Sequence, residues 1–92
     1  MANTKTGAYG PLKTADGEIQ TIVNQVLPAV NSKTKKDYKG LVAIAHQSQV
    51  VQGTNHKVLV RIIPNNYLKL EIYVPLGPGA VPDLKGVQDA AL

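Results

Sequence analysis

The sequence predicts an α+β protein in which an antiparallel sheet of four to five strands wraps across one long α-helix. Three observations carry this. Between Asp16 and about Lys35 the apolar residues Ile19, Ile22, Val23, Val26, Leu27 and Val30 recur with the helical period. After Gly40 the period becomes two and holds for three successive segments. Only that one amphipathic helix is available to cover the apolar face that such strands create. With 92 residues and 43% hydrophobic content the chain has material for one core, so residues 1–92 are expected to form a single domain. Four Tyr and no Phe or Trp leave that core to Val, Leu, Ile and Ala.

The elements follow in order. Residues 1–9 are rich in Gly, Thr and Lys and read as a flexible N-terminal arm, with a short edge strand after it. Asp16 is a good N-cap, and Glu18 falls in the electropositive first turn of the helix. Gln20, Thr21, Asn24 and Gln25 fill the polar face. Pro28 removes one backbone donor and presses on the carbonyl of Asn24, so a kink is expected there. Leu41 to Val51, Thr54 to Ile63 and Leu68 to Pro75 read as three meandering strands, with turns at Gln52-Gly53 and Pro64-Asn65-Asn66. Val58, Val60 and Ile62 share a face against Lys57, Leu59 and Arg61, and Leu68, Leu70, Ile72 and Val74 oppose Lys69, Glu71 and Tyr73. Gly77-Pro78-Gly79-Ala80-Val81-Pro82 is too rich in Pro and Gly for a strand and reads as a loop. A last strand around Asp83 to Gln88 closes the sheet.

Composition excludes most chemistry. Without cysteine there is no disulfide, thiol nucleophile or thiolate metal site, and a reducing compartment is compatible. His46 and His56 sit on adjoining strands, but the spacing suggests no third ligand for a metal, and no acid-base partner. No nucleophile elbow, Walker or dinucleotide fingerprint occurs, and Gly77-Pro78-Gly79 lacks the following helix that would bind an anion. The six carboxylates form no catalytic pair. The chain is therefore expected not to be an enzyme and to need no cofactor. The N-terminus lacks an apolar targeting core, and no stretch of roughly 18 apolar residues appears, so a soluble, cytoplasmic protein without a membrane partner is expected. The formal charge of +4 includes Lys33, Lys35, Lys36 and Lys39 in one polar stretch. These read as a solvated helix end, with an anion-binding patch around Tyr38 as the alternative; no nucleic-acid partner is expected.

One run stands apart. Gln49-Val50-Val51-Gln52-Gly53, continuing into Thr54-Asn55, places two valines at the tip of a turn, where exposed apolar groups gain nothing from folding. Either they pack on a neighbour such as Leu76, or a partner covers them. Gly53 supplies the positive φ that a tight hairpin requires.

The run resembles the Gln-Val-Val-Ala-Gly signature of the cystatins, inhibitors of papain-like cysteine proteases, with Gln52 in place of alanine. The likeness to the stefins, the single-domain cystatins without disulfides, covers nearly the whole chain. Glu18-Ile19-Gln20 opens the helix as the stefin Glu-Ile-Gln does, Pro28 falls where some stefins carry proline, and Leu68 to Leu76 resembles the strand entering the second hairpin. Gly7 matches the glycine of the stefin arm, with Gly10 as a nearby competitor. Leu76 matches the leucine of the stefin Leu-Pro pair, but Gly77 replaces the proline, between Pro75 and Pro78. One residue is missing between there and Gln88, and the chain stops at Leu92, short of the stefin tail. The resemblance implies a cystatin-like fold and reversible, competitive inhibition of cathepsin-type proteases by a wedge of three segments. Its contacts would be Gly7 and Ala8 in the arm, Gln49, Val50, Val51, Gln52 and Gly53 in the first hairpin, and Pro75, Leu76 and Gly77 in the second loop. A monomer is expected. The alternative is a cystatin-fold binding module without inhibition, serving a peptide, a domain-swapped dimer or an anionic partner through Lys33 to Lys39.

Overall fold

The structure is a computed structural model that describes residues 9–62 and 66–90. Two-residue strand β1 (Lys13–Thr14) leads into helix α1 (Gly17–Thr34), followed by strands β2 (Val42–Val51), β3 (Gly53–Ile62), β4 (Asn66–Val74) and β5 (Asp83–Ala90). The five strands form one antiparallel sheet in sequence order, β1-β2-β3-β4-β5, and the helix packs against it. This is the expected α+β arrangement. Strand β4 starts at Asn66, within the expected turn, while Ile63, Pro64 and Asn65 lie outside the described residues.

Helix α1 begins and ends where its sequence signals say. The Asp16 carboxylate accepts from the Ile19 N–H at 3.0 Å, satisfying one of the orphan donors of the first turn. At the other end Lys35 adopts the left-handed conformation, φ 58°, and its N–H bonds the Asn31 carbonyl. The loop after it is held by Asn31, whose side-chain amide donates to the Tyr38 carbonyl at 3.1 Å and whose Oδ1 accepts from the Tyr38 N–H at 2.8 Å. Pro28 is exposed and lies within the 18-residue helix, which continues through it as one element.

The core joins the two layers. Ile19, Val23, Val26 and Val30 of the helix meet Leu41, Val58, Val60, Leu68, Leu70, Ile72 and Leu84, all buried, with Ile22 and Leu27 half-buried at the flanks. Each such side chain contributes roughly 1.5–3 kcal/mol by leaving water.

Two features fasten the helix and edge strand to β2. The register slips between Ala43 and Ala45, so Ile44 bulges out of the ladder, and its carbonyl accepts from the Ala15 N–H at 3.0 Å. Beside the bulge, Gln20 acts as a substitute strand: its Nε2 donates to the Leu41 carbonyl at 2.9 Å and its Oε1 accepts from the Ala43 N–H at 2.8 Å. The helical period assigns Gln20 to the polar face, yet it is half-buried, because it satisfies edge groups of β2 that β1 is too short to reach.

Candidate functional site

The β2–β3 hairpin and the β4–β5 loop leave the sheet at one end. Val51 pairs with Gly53 across the hairpin, leaving Gln52 alone at the tip, and Val50 pairs with Thr54. Residues directly opposite share a face, so Val50 lies with Thr54 on the side of Val58 and Val60, while Val51 lies on the outer side. The two valines therefore differ. Val50 is 75% exposed, whereas Val51 is half-buried, which corrects the expectation of two bare valines. Gln49 is bound within the hairpin, its Oε1 accepting from Asn55 Nδ2 at 3.0 Å.

Glycine is required at position 53 for two reasons. Its φ is 107°, and an added Cβ would lie 2.5 Å from the Val74 carbonyl oxygen and 2.9 Å from the Tyr73 ring. The β4 backbone thus presses directly on the hairpin.

The loop of residues 75–82 spans from Val74, which pairs across β3–β4 with Thr54, to Asp83, which pairs with Tyr73. It therefore sits beside the hairpin. Pro75 is half-buried and Leu76 is 73% exposed. Gly77 has φ 106°, and its carbonyl accepts from the Ala80 N–H at 3.4 Å. Proline is locked near φ −65°, so the turn seen here excludes it and the loop has a shape of its own.

Gly10 is tied to β2. Its N–H donates to the Ser48 carbonyl at 2.9 Å, and its own carbonyl accepts from Gln47 Nε2 at 3.2 Å. Tyr9 is half-buried, with the Lys57 ammonium 4.3 Å from its ring centroid; burial first, and then Glu71, pushes its phenol pKa upward. Gly7 and Ala8 lie outside the described residues.

The geometry is that of a blunt protrusion, and a family model for the cystatin domain matches residues 7–77. The chain belongs to the cystatin family. It is 40% identical over 86 residues to Cystatin-A2 of Dictyostelium discoideum, covering 94% of this chain and 87% of that one. It is likewise 40% identical over 78 residues to Cystatin-A of Homo sapiens, covering 85% and 79%. Leukocyte cysteine proteinase inhibitor 1 of Sus scrofa is 42% identical over 62 residues, or 67% and 60% of the two chains.

In this cystatin the expected hairpin and loop residues converge at one end of the sheet, and two further residues join them. Val81, in the same loop, is 72% exposed, a bare apolar side chain in a Pro-Gly segment that its sequence setting could have flagged. Tyr73 donates its hydroxyl to the Gln52 carbonyl, a contact between residues too distant in sequence for any local pattern to reveal.

The other candidate groups do not form a second site. His46 and His56 share the helix side of the sheet with ring centroids 6.2 Å apart, and among the described residues no three His, Cys, Asp or Glu are placed to hold a metal ion. His56 Nδ1 is 3.1 Å from the Ser48 hydroxyl, and burial, then His46, lowers its pKa against the pull of Glu18. Lys39 is ion-paired with Asp37 at 2.8 Å, both well exposed. A groove of about 570 Å³, lined by Tyr38, Leu41, Val42 and Ile62 among others, opens at the opposite end of β2 and β3. No helix among the described residues is long and apolar enough to cross a membrane.

Proposed function

We propose that this cystatin is a reversible, competitive inhibitor of papain-like, cathepsin-type cysteine proteases, acting in the cytoplasm as a monomer and lodging the hairpin end of its sheet in their active-site cleft. The observation that carries this reading is the pairing of two bare apolar residues, Val50 and Leu76, at the same end of a hydrogen-bonded sheet. A surface of that kind loses nothing by being covered and is already ordered before it is covered.

The mechanism is exclusion. Papain-like clefts are extended and apolar-walled, so Val50 and Val51 bury side chains there, each contributing roughly 1–3 kcal/mol. Gln49 and Gly53 keep the ribbon tight, and Gln52 carries its side chain outward at the tip. Pro75, Leu76 and Gly77 take the primed side. Gly7 and Ala8 carry the arm along the non-primed subsites, with Gly10 serving as the arm's fixed root. The wedge presents no peptide bond to the catalytic thiolate, so the protein is bound without being cleaved. It acts as an inhibitor and not as an enzyme.

Titration of the protein into papain and a cathepsin-type endopeptidase with a fluorogenic substrate tests this. Inhibition at or below micromolar protein is expected, with Val50→Asp at least tenfold weaker. Absence of inhibition at micromolar protein, or an aspartate variant as potent as the parent, overturns the wedge.

A further inference from the structure

We infer that Tyr73 is the positioning residue of the wedge, a strut that joins the first hairpin to the second loop and holds both in binding geometry. The inference rests on the wedge reading.

Apart from the Val74 carbonyl beside Gly53, the sheet gives the hairpin tip little other support. Pairing between β3 and β4 begins at Thr54–Val74, so the Val51–Gly53 pair and Gln52 project past the end of the three-stranded ladder as a two-stranded ribbon. Such a ribbon is free to twist and splay, and a small rotation there moves Val51 and Gln52 and loosens the adjoining row that holds Val50 opposite Thr54. Tyr73 reaches across that gap. It lies opposite Asn55 in the register, and its hydroxyl donates to the carbonyl of Gln52, beyond the last β3–β4 pair. Its ring occupies the space beside Gly53 where any Cβ would have to go, 2.9 Å away. The ring and the Val74 carbonyl together set how closely the ribbon approaches β4, and the hydroxyl ties down its tip.

The same residue bears on the second loop. Tyr73 pairs with Asp83 on its other side, so it stands three residues before Leu76 and directly beside the point where the loop of residues 75–82 rejoins the sheet. One side chain therefore links the hairpin that carries Val50 to the loop that carries Leu76, the two bare apolar residues of the wedge. Phenylalanine would supply the ring but not the hydroxyl, so substitution to Phe isolates the strut from packing.

Tyr67 gives the control. It lies on the same strand and face as Tyr73 but pairs with Arg61, at the far end of the sheet. Tyr73→Phe and Tyr67→Phe are compared with the parent by amide hydrogen exchange of the free proteins and by association and dissociation rates with papain. For Tyr73→Phe the expected result is an unchanged melting temperature, faster exchange confined to residues 50–54, and dissociation roughly fivefold faster with little change in association. Tyr67→Phe should match the parent in all of these. Unchanged exchange at residues 50–54 in Tyr73→Phe overturns the strut, and so does faster exchange with an unchanged dissociation rate. If the parent itself fails to bind papain, the wedge reading fails, and exchange alone then decides whether Tyr73 holds the hairpin.

Discussion

Asn55 Nδ2 donates to Gln49 Oε1 at 3.0 Å across the hairpin, joining two residues that are directly opposite in the β2–β3 register. The first residue of the Gln-Val-Val run is thus committed to its own ribbon, and the valines after it are free to meet a partner. Asn55→Ala should cost about 1 kcal/mol, the worth of one cross-strand hydrogen bond, and weaken protease inhibition several-fold, far less than Val50→Asp. Urea denaturation alongside a papain titration checks both halves. An inhibition loss as large as that of Val50→Asp would mean that Asn55 itself meets the protease.

Gln20 bonds two backbone groups of β2, the Leu41 carbonyl and the Ala43 N–H, where the edge strand does not reach. Gln20→Ala removes both bonds and leaves partly buried backbone groups unmet, so a loss of about 2 kcal/mol is expected. Gln25, exposed on the same helix, is the control, and its replacement by Ala should change stability by less than about 0.5 kcal/mol. Equal effects in denaturant unfolding would show that the clamp contributes nothing.

These two cases mark what the sequence disclosed and what it did not. The helix was legible because Asp16 and the stripe from Ile19 to Val30 are local signals, and the strands because Leu68, Leu70 and Ile72 alternate with Lys69 and Glu71, and Val58 and Val60, with Leu59 between them, are flanked by Lys57 and Arg61. The bulge at Ile44 has no glycine or proline to announce it, and it shifts which residues of β2 face the helix. Gln20 looked solvent-facing because periodicity reports the angle around one helix and not what stands beside it. At the candidate site the hairpin and Leu76 could be read from their residues, since apolar groups among turn formers are conspicuous. The opposite faces of Val50 and Val51 follow only once the register is known, and the Tyr73–Gln52 contact depends on how far the ribbon outruns β4.

Lys35 ends the helix in the left-handed region, φ 58°, where a side chain is strained and glycine is not. It is exposed. Lys35→Gly should therefore stabilise the protein by about 0.5–1 kcal/mol, the relieved strain exceeding the extra backbone entropy of the unfolded chain. In a chain of this size that raises the melting temperature by roughly 2–8 °C. A lowered melting temperature would indicate that the lysine makes up for its strained backbone elsewhere.

His56 links the fold to pH. Its pKa is lowered from the ordinary 6.5, first by burial on the helix side of the sheet and second by His46, whose ring centroid is 6.2 Å away, while Glu18 opposes the shift. Lys13 pairs with His46 on the same side, the Ser48 hydroxyl bonds His56 Nδ1, and Glu18 favours the charged form of His56. Because the native state binds this proton less readily than the unfolded chain, the stability owed to His56 is complete above pH 6.5. It is lost as the pH falls from there through the lowered native pKa. His56→Gln keeps a hydrogen-bonding side chain for Ser48 and abolishes the titration. Unfolding free energies measured from pH 7.5 downward should fall less steeply below pH 6.5 in the variant than in the parent. Parallel curves would remove His56 as the source of the dependence.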